Sequence, residues 1–355
     1  MQKKGLKEFL QKKDIVFSMK RYGIDALGAM AQGLFASLLM GTIISTIGEQ
    51  FGIQFLIDCG TYAKASTGAA MAVAIGYALN APNLVLFSLI TVGTAANALG
   101  GAGGPLAVLL IAVVAAECGK FVSKETKVDI IVTPGVTIIV GVIFSMWFAP
   151  MIGKAASSVG SLIMWATDQQ PFIMGILISV LVGIALTLPI SSAAICSVLG
   201  LVGLAGGAAV AGCCAQMVGF AVMSYKENGI GGLFAQGIGT SMLQMGNIVK
   251  NPKIWIPPTL ASAITGPLAT CLFKMQMNGA AVASGMGTCG LVGQIGVYTG
   301  WVNDVANGLK ASITAFDWIG LILICFVLPA VLTPIIAHPL RKMGWIKDGD
   351  LKLDL

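Results

Sequence analysis

The stretch that decides the fold is ASTGAAMAVAIGYALNAPNLVLFSLITVGTAANALGGAGGPLAVLLIAVVAA, residues 65–116, which runs from Lys64 to Glu117 without a charged side chain. A water-facing surface cannot be built from it. One apolar helix needs about 20 residues to cross a bilayer core, so the stretch is long enough for two crossings. The interval between Asp168 and Lys226 is charge-free in the same way, and shorter charge-free windows lie at 26–48, 130–153, 254–273, 275–303 and 318–337. None alternates with period two, and lipid accepts only helices or closed barrels. The fold class expected is an all-α integral membrane protein.

Composition agrees. Hydrophobic residues make up 56% of the 355 and charged residues 10%, with a mean hydropathy of +0.89. Soluble domains carry about 25% charged residues. The net charge of +6 is not a nucleic-acid signal, because its positives cluster at Lys3 to Arg21, at Lys120, Lys124 and Lys127, and at Arg341 to Lys352. The positive-inside rule puts these three places, and hence both termini, in the cytoplasm, with an even number of crossings between them. The first 21 residues hold seven Lys/Arg and precede a full-length apolar window without an A-x-A cleavage site, so a cleaved signal is not expected. The segment 6–19 is mildly amphipathic and suits a membrane surface. The organisation expected is a cytoplasmic tail at 1–21, a transmembrane domain at 22–340 and a second cytoplasmic tail at 341–355, both tails being too short to fold alone.

Glycine is the second signal, at 46 residues against a usual share of about 7%. Small residues allow close helix packing, which accounts for Gly203, Gly206, Gly207 and Gly212. Two clusters are too dense for that: Asn97-Ala-Leu-Gly-Gly-Ala-Gly-Gly-Pro105 and Gly285-Met-Gly-Thr-Cys-Gly-Leu-Val-Gly293. Each breaks a helix inside a charge-free window, as the discontinuous helices of secondary transporters do around their sites. Leu188-Pro-Ile-Ser-Ser192 is a third break. The segment 229–258 is a fourth, and it reads as a re-entrant hairpin or as a short span with a polar loop. About ten crossings with two or three re-entrant pieces result.

Enzyme motifs are absent: there is no Walker A loop, no G-x-S-x-G and no His/Cys/carboxylate cluster of metal-ligand spacing. No catalytic residue, metal or cofactor is expected. The eight cysteines include no C-x-x-C and suit small apolar packing; His338, the single histidine, falls at a span end. What remains in the apolar windows is neutral. Asn97, Gln216, Thr240, Ser241, Gln244, Asn247, Asn251, Thr288 and Gln294 are the candidate solute-binding residues, with Thr187, Ser191 and Ser192 as hydroxyls beside a break. Amides and hydroxyls donate and accept, which suits a neutral polyol. They also serve as hydrogen-bonding glue between helices, and both readings stand at this point. Lys250 either faces a pathway or snorkels to the interface.

Several runs are distinctive: Gln170-Pro-Phe-Ile-Met-Gly175, Leu186-Thr-Leu-Pro-Ile-Ser-Ser-Ala-Ala194, Cys213-Cys-Ala-Gln-Met-Val-Gly-Phe220, Gly239-Thr-Ser-Met-Leu-Gln-Met245 and Asn251-Pro-Lys-Ile-Trp-Ile-Pro-Pro258. From about 22 to 340 the chain resembles the phosphotransferase-system enzyme IIC-like permeases, a family that includes PfoR-type regulators of toxin expression. The resemblance implies a homodimer in the bacterial inner membrane, with a scaffold and a moving substrate domain that carries two hairpins and works as an elevator. It implies a small polar solute such as a sugar, and a cytoplasmic phosphotransferase partner. Better-known members carry Asn-Glu-Pro followed by Asn-Pro; here Asn251-Pro252 is present, but Gly239-Thr-Ser-Met242 stands where the Glu would be. Transport without phosphotransfer chemistry of its own is therefore expected, and the alternative is a membrane sensor that keeps the permease fold.

Overall fold

The computed structural model describes residues 8–353. They are helical nearly throughout, and the one extended pairing among them is the bridge between Gly203 and Met277. In chain order the helices are α1 (Arg21–Phe51), α2 (Gln54–Ala65), α3 (Thr67–Ala78), α4 (Asn83–Gly100), α5 (Gly104–Val122), α6 (Asp129–Thr167), α7 (Pro171–Thr187), α8 (Ser192–Leu199), α9 (Gly203–Met223), α10 (Tyr225–Phe234), α11 (Met245–Lys250), α12 (Ile256–Pro267), α13 (Val292–Ala306) and α14 (Ala315–Lys342).

Five helical stretches are long and apolar enough to cross a membrane: Arg21–Phe51, Asn83–Val122, Asp129–Thr167, Gly203–Met223 and Ala315–Lys342. Thr67–Ala78 and Pro171–Thr187 are apolar but shorter. The sequence leads one to expect about ten crossings. Two things separate the numbers: some breaks leave apolar sequence in shorter helices outside the five stretches, and the break at 97–105 lies inside one stretch, Asn83–Val122, which holds both α4 and α5. The Gly-rich cluster at 97–105 ends α4, with Gly101 at φ +50°, and α5 then packs back along α4. The cluster at 285–293 forms short 3-10 turns, with Gly287 and Gly290 in the left-handed region. Leu188 is extended ahead of Pro189, and the Ser191 hydroxyl caps α8 by accepting from the Ala194 amide. Within α10 the backbone turns at Gly229, and π and 3-10 turns at 235–244 and 252–255 flank the short α11.

The chain divides into two compact units, Met1–Gly41 with Asp58–Ala155, and Thr42–Ile57 with Ala156–Leu355. In the first, α3 packs against α1, α4 and α5. Gly68 on α3 and Gly93 on α4 make this possible: a Cβ on either would overlap the other's carbonyl oxygen, so the two backbones touch. One end of this unit is polar. Lys120 is 1% exposed and donates to the carbonyls of Asp14 (2.6 Å) and Leu79 (3.0 Å), beside Glu117 at 3.1 Å. Arg21 grips the Asp14 carboxylate and the Leu79 carbonyl; Tyr22 donates to Glu117, and Lys13 pairs with Glu125. The basic N-terminal segment and the basic stretch after α5 thus meet at the same end of the unit.

In the second unit α9 is the axis, packed by α7, α12 and α14. Its 21 residues rise about 31 Å, close to a bilayer core. Gly203 at its start exchanges two 3.0 Å backbone bonds with Met277, and Met223 at its end accepts from Arg341 near the end of α14. The unit therefore has a 203/277 end and a 223/341 end, and Gln216 lies between them.

Candidate functional site

Gln216 is fully buried on α9. Its Oε1 accepts from Trp255 Nε1 at 2.9 Å and from the Thr187 hydroxyl at 3.3 Å; its Nε2 faces the hydroxyls of Thr259 at 3.3 Å and Ser262 at 3.5 Å. The Thr187 hydroxyl also lies 2.8 Å from Ser241 and 3.3 Å from the Gly183 carbonyl. The single Thr187 proton is contested by the Gly183 carbonyl even when Ser241 is the donor in their contact, so the donor that secures Gln216 Oε1 is the indole. The fold assembles this group at broken backbone: Thr187 is the last residue of α7, and Ser241 follows Thr240, which is extended and accepts the Met242 amide to cap a 3-10 turn. Trp255, Thr259 and Ser262 stand at helical spacing (i, i+4, i+7) on one face leading into α12.

A second group lies toward the 223/341 end. Gln236 donates to Ser224 (2.8 Å), and Gln244 donates to Gln236 (2.9 Å) and to the Leu351 carbonyl (3.0 Å). Asn247 donates to Gln244 (2.9 Å) and the Lys352 carbonyl (2.8 Å), and Asn251 donates to the Trp345 carbonyl and Asp350, both at 2.8 Å. Asn228 donates to the Leu351 carbonyl and accepts the Leu353 amide. Residues 345–353 form a strap held by these amides, with Ile346 and Leu351 buried beneath.

The sequence leads one to expect Gln216, Gln244, Asn247 and Asn251 around one wetted cavity, together with Asn97 and the 288–294 region. The structure distributes them. Gln216 and Ser241 share one group, with Thr240 fixing the turn beside it. Gln244, Asn247 and Asn251 carry the strap, whose backbone carbonyls give the buried amide protons the partners they need. Thr288 and Gln294 touch α9 through sulfur, donating to Met217 Sδ and Cys214 Sγ, and Gln294 Oε1 has no hydrogen-bond partner. Asn97 belongs to the first unit, beside Gly104. Lys250 is exposed. Sequence reasoning missed Trp255, Thr259 and Ser262, although their helical spacing was visible, and it missed Gln236 and Asn228 in the segment singled out as broken. Among the described residues, no three His, Cys, Asp or Glu side chains gather as a metal site would.

Apolar helices of spanning length, broken at glycine and proline and enclosing neutral polar side chains, define a multi-pass membrane protein with the features of a transporter. The family model described as phosphotransferase system, EIIC matches residues 24–353, and the chain belongs to that family. It is thus a membrane permease component of the phosphotransferase system, a kind of component that is not catalytic on its own. No curated protein and no solved structure matches the chain.

Proposed function

We propose that this chain moves a small, neutral, sugar-like solute across the membrane by an elevator motion, without phosphotransfer chemistry of its own. The observation that carries the reading is the group around Gln216. Four polar side chains converge on a fully buried amide, and three of the four contacts are 3.3–3.5 Å, longer than a good hydrogen bond. A buried amide this loosely held can exchange those partners for solute hydroxyls at little cost, bond for bond. On this reading the second unit carries the solute, the first is the scaffold of a homodimer in the bacterial inner membrane with both termini cytoplasmic, and the breaks supply the re-entrant pieces of a roughly ten-crossing topology. Thr288 and Gln294 would contribute from the second break. Other phosphotransferase components are the partners such a family member implies.

A second reading draws on the strap. Its carbonyls occupy Gln244, Asn247 and Asn251, so solute reaching those amides would release residues 345–353, and a cytoplasmic partner could read that release. The protein would then be a membrane sensor of the PfoR type that keeps the permease fold.

Purified protein in liposomes, with a panel of radiolabelled neutral sugars and polyols, separates the two. Uptake that is lost in Gln216→Met, a swap that keeps the packing volume, supports the permease. Binding without flux supports the sensor. Uptake unchanged in Gln216→Met removes the site.

A further inference from the structure

The sequence Lys274-Met-Gln-Met-Asn278 alternates with period two; it is non-helical, opening at Lys274 in the left-handed region (φ +47°) and bridging to Gly203 at Met277. Met275 and Met277 point into the core at 3% and 0% exposure. Lys274, Gln276 and Asn278 point the other way and form one wall of a cavity of about 370 Å³. The register is fixed from below. Met277 is bonded to Gly203 in both directions, and the Met275 carbonyl lies where a Cβ of Gly207 would have to be. The facing wall is the last turns of α13, through Asp304, and the first turn of α14, through Asp317, with Leu309 and Lys310 from the loop between them.

The lining is polar and electrically balanced. Asn278 Nδ2 donates to Asp304 Oδ2 at 2.8 Å and to Gln276 Oε1 at 3.1 Å. Lys310 pairs with Asp317 at 2.7 Å, and Asp317 is further held by the amide and hydroxyl of Thr314 in a capping box. Trp301, at 4% exposure, underlies Lys310 and packs edge-on against Trp318, so the floor is rigid. The Lys274 ammonium, the Gln276 amide group, Asn278 Oδ1 and Asp304 Oδ1 remain to meet a ligand, two donors and two acceptors by side chain. The two lysines and two aspartates cancel, so nothing selects a net charge. Leu309, 79% exposed at the rim, offers an apolar patch to the C–H face of a ring. The volume lies within the range of small-molecule pockets, at its small end.

We propose that this cavity binds a small, uncharged, hydroxyl-rich solute of one or two rings. It is distinct from the Gln216 group. It lies at the 203/277 end of the second unit, and Gln216 sits thirteen residues further along α9, about 20 Å away at helical rise. The strap lies beyond, at the 223/341 end. Cavity, buried amide and strap thus follow one another along a single axis, and the cavity is the capture point at the end away from the strap.

The test is photolabelling of the full-length protein in detergent with diazirine derivatives of glucose and maltose, followed by peptide mapping. Crosslinks are expected within 274–278 and 301–310, competed by the parent sugars. Gln276→Ala and Asp304→Asn should each weaken half-maximal labelling by about tenfold, as loss of one good ligand contact does. Lys274→Ala removes a third contact and should weaken labelling in the same direction, and all three variants should keep the wild-type size-exclusion profile. Gln216→Met should leave this labelling intact even where it abolishes uptake, which separates this site from the transport reading. The proposal is overturned if neither segment is labelled, if the variants label as wild type, or if only sugar phosphates or sugar acids compete.

Discussion

Asn247 and Lys352 are 105 residues apart in sequence, yet the Asn247 amide donates to the Lys352 carbonyl at 2.8 Å. Gln244 makes the companion bond to Leu351, whose side chain is fully buried. The strap is therefore part of the second unit. Leu351→Ala should free it without unfolding the bundle, since truncating a buried leucine costs about 2–5 kcal/mol and the strap has no other large anchor except Ile346. Hydrogen exchange of residues 345–353 is the measurement: protection should fall there and remain along α9.

Trp255→Phe isolates the indole proton. Gln216 Oε1 loses its 2.9 Å donor while the packing is nearly kept. The expected result is a folded protein with an unchanged size-exclusion profile and solute affinity lower by about tenfold, the effect of one hydrogen bond worth roughly 1–1.5 kcal/mol. Unchanged affinity would mean that the Gln216 group only ties helices together.

Lys120 and Glu117 make a pair of predictions. Lys120→Met strands a carboxylate that is 8% exposed, and breaking a buried pair from one side costs roughly 3–5 kcal/mol. Lys120→Met with Glu117→Met should recover more than half of that loss in a thermal melt, because the charge left unpaired is gone. A double variant no better than the single one would assign the stability to Lys120's bonds to the Asp14 and Leu79 carbonyls instead.

Asp14 gives the docked N-terminal segment an acid limit. The Arg21 guanidinium, bonded to its carboxylate, is the main reason its pKa falls from 3.8 to about 2; burial opposes the shift, and Asn80 and the charges of Arg21 and Lys120 add to it. A group whose pKa is depressed on folding stabilises the fold above its ordinary pKa and loses that contribution as pH falls through the folded value. Docking should hold above about pH 4 and weaken between about 4 and 2. The carboxylate is about half exposed, so salt should reduce the effect. Exchange of residues 8–20 against pH measures it, and Asp14→Asn should flatten the profile.

The sequence made the helical membrane class legible through one property, the absence of charge over windows twice the length of a crossing. The breaks were legible too, because Gly-Gly-Ala-Gly-Gly-Pro and Leu-Pro-Ile-Ser-Ser leave a helix little choice. Gln216 stood out as an amide in an apolar run, and Ser241 stood close to a break. The strap did not show. Its recognition uses backbone carbonyls of 345, 351 and 352, and carbonyls are the same whatever the side chain. Lys120 was read only as a topology marker, since its burial depends on Asp14 and Leu79, which are distant in sequence. The 274–278 alternation was visible, but it begins at Lys274, the charge between the 254–273 and 275–303 windows, and its other four residues open a window already assigned to helix by its lack of charge.

Helix α6 has a geometric consequence. Its 39 residues give a rod of about 58 Å, nearly twice the hydrocarbon thickness of about 30 Å. To keep all of it in the core would require a tilt near 60°, well outside the usual range of up to about 40°. Residues 129–153 alone, about 37 Å, fit with an ordinary inclination. We expect the helix to leave the hydrocarbon near Lys154, where charge first reappears, just past Pro150, an internal proline at which it can change direction. Bilayer thickness is thus a physical variable for this protein: a thicker membrane draws more of α6 inward, and a thinner one lays more of it on the surface.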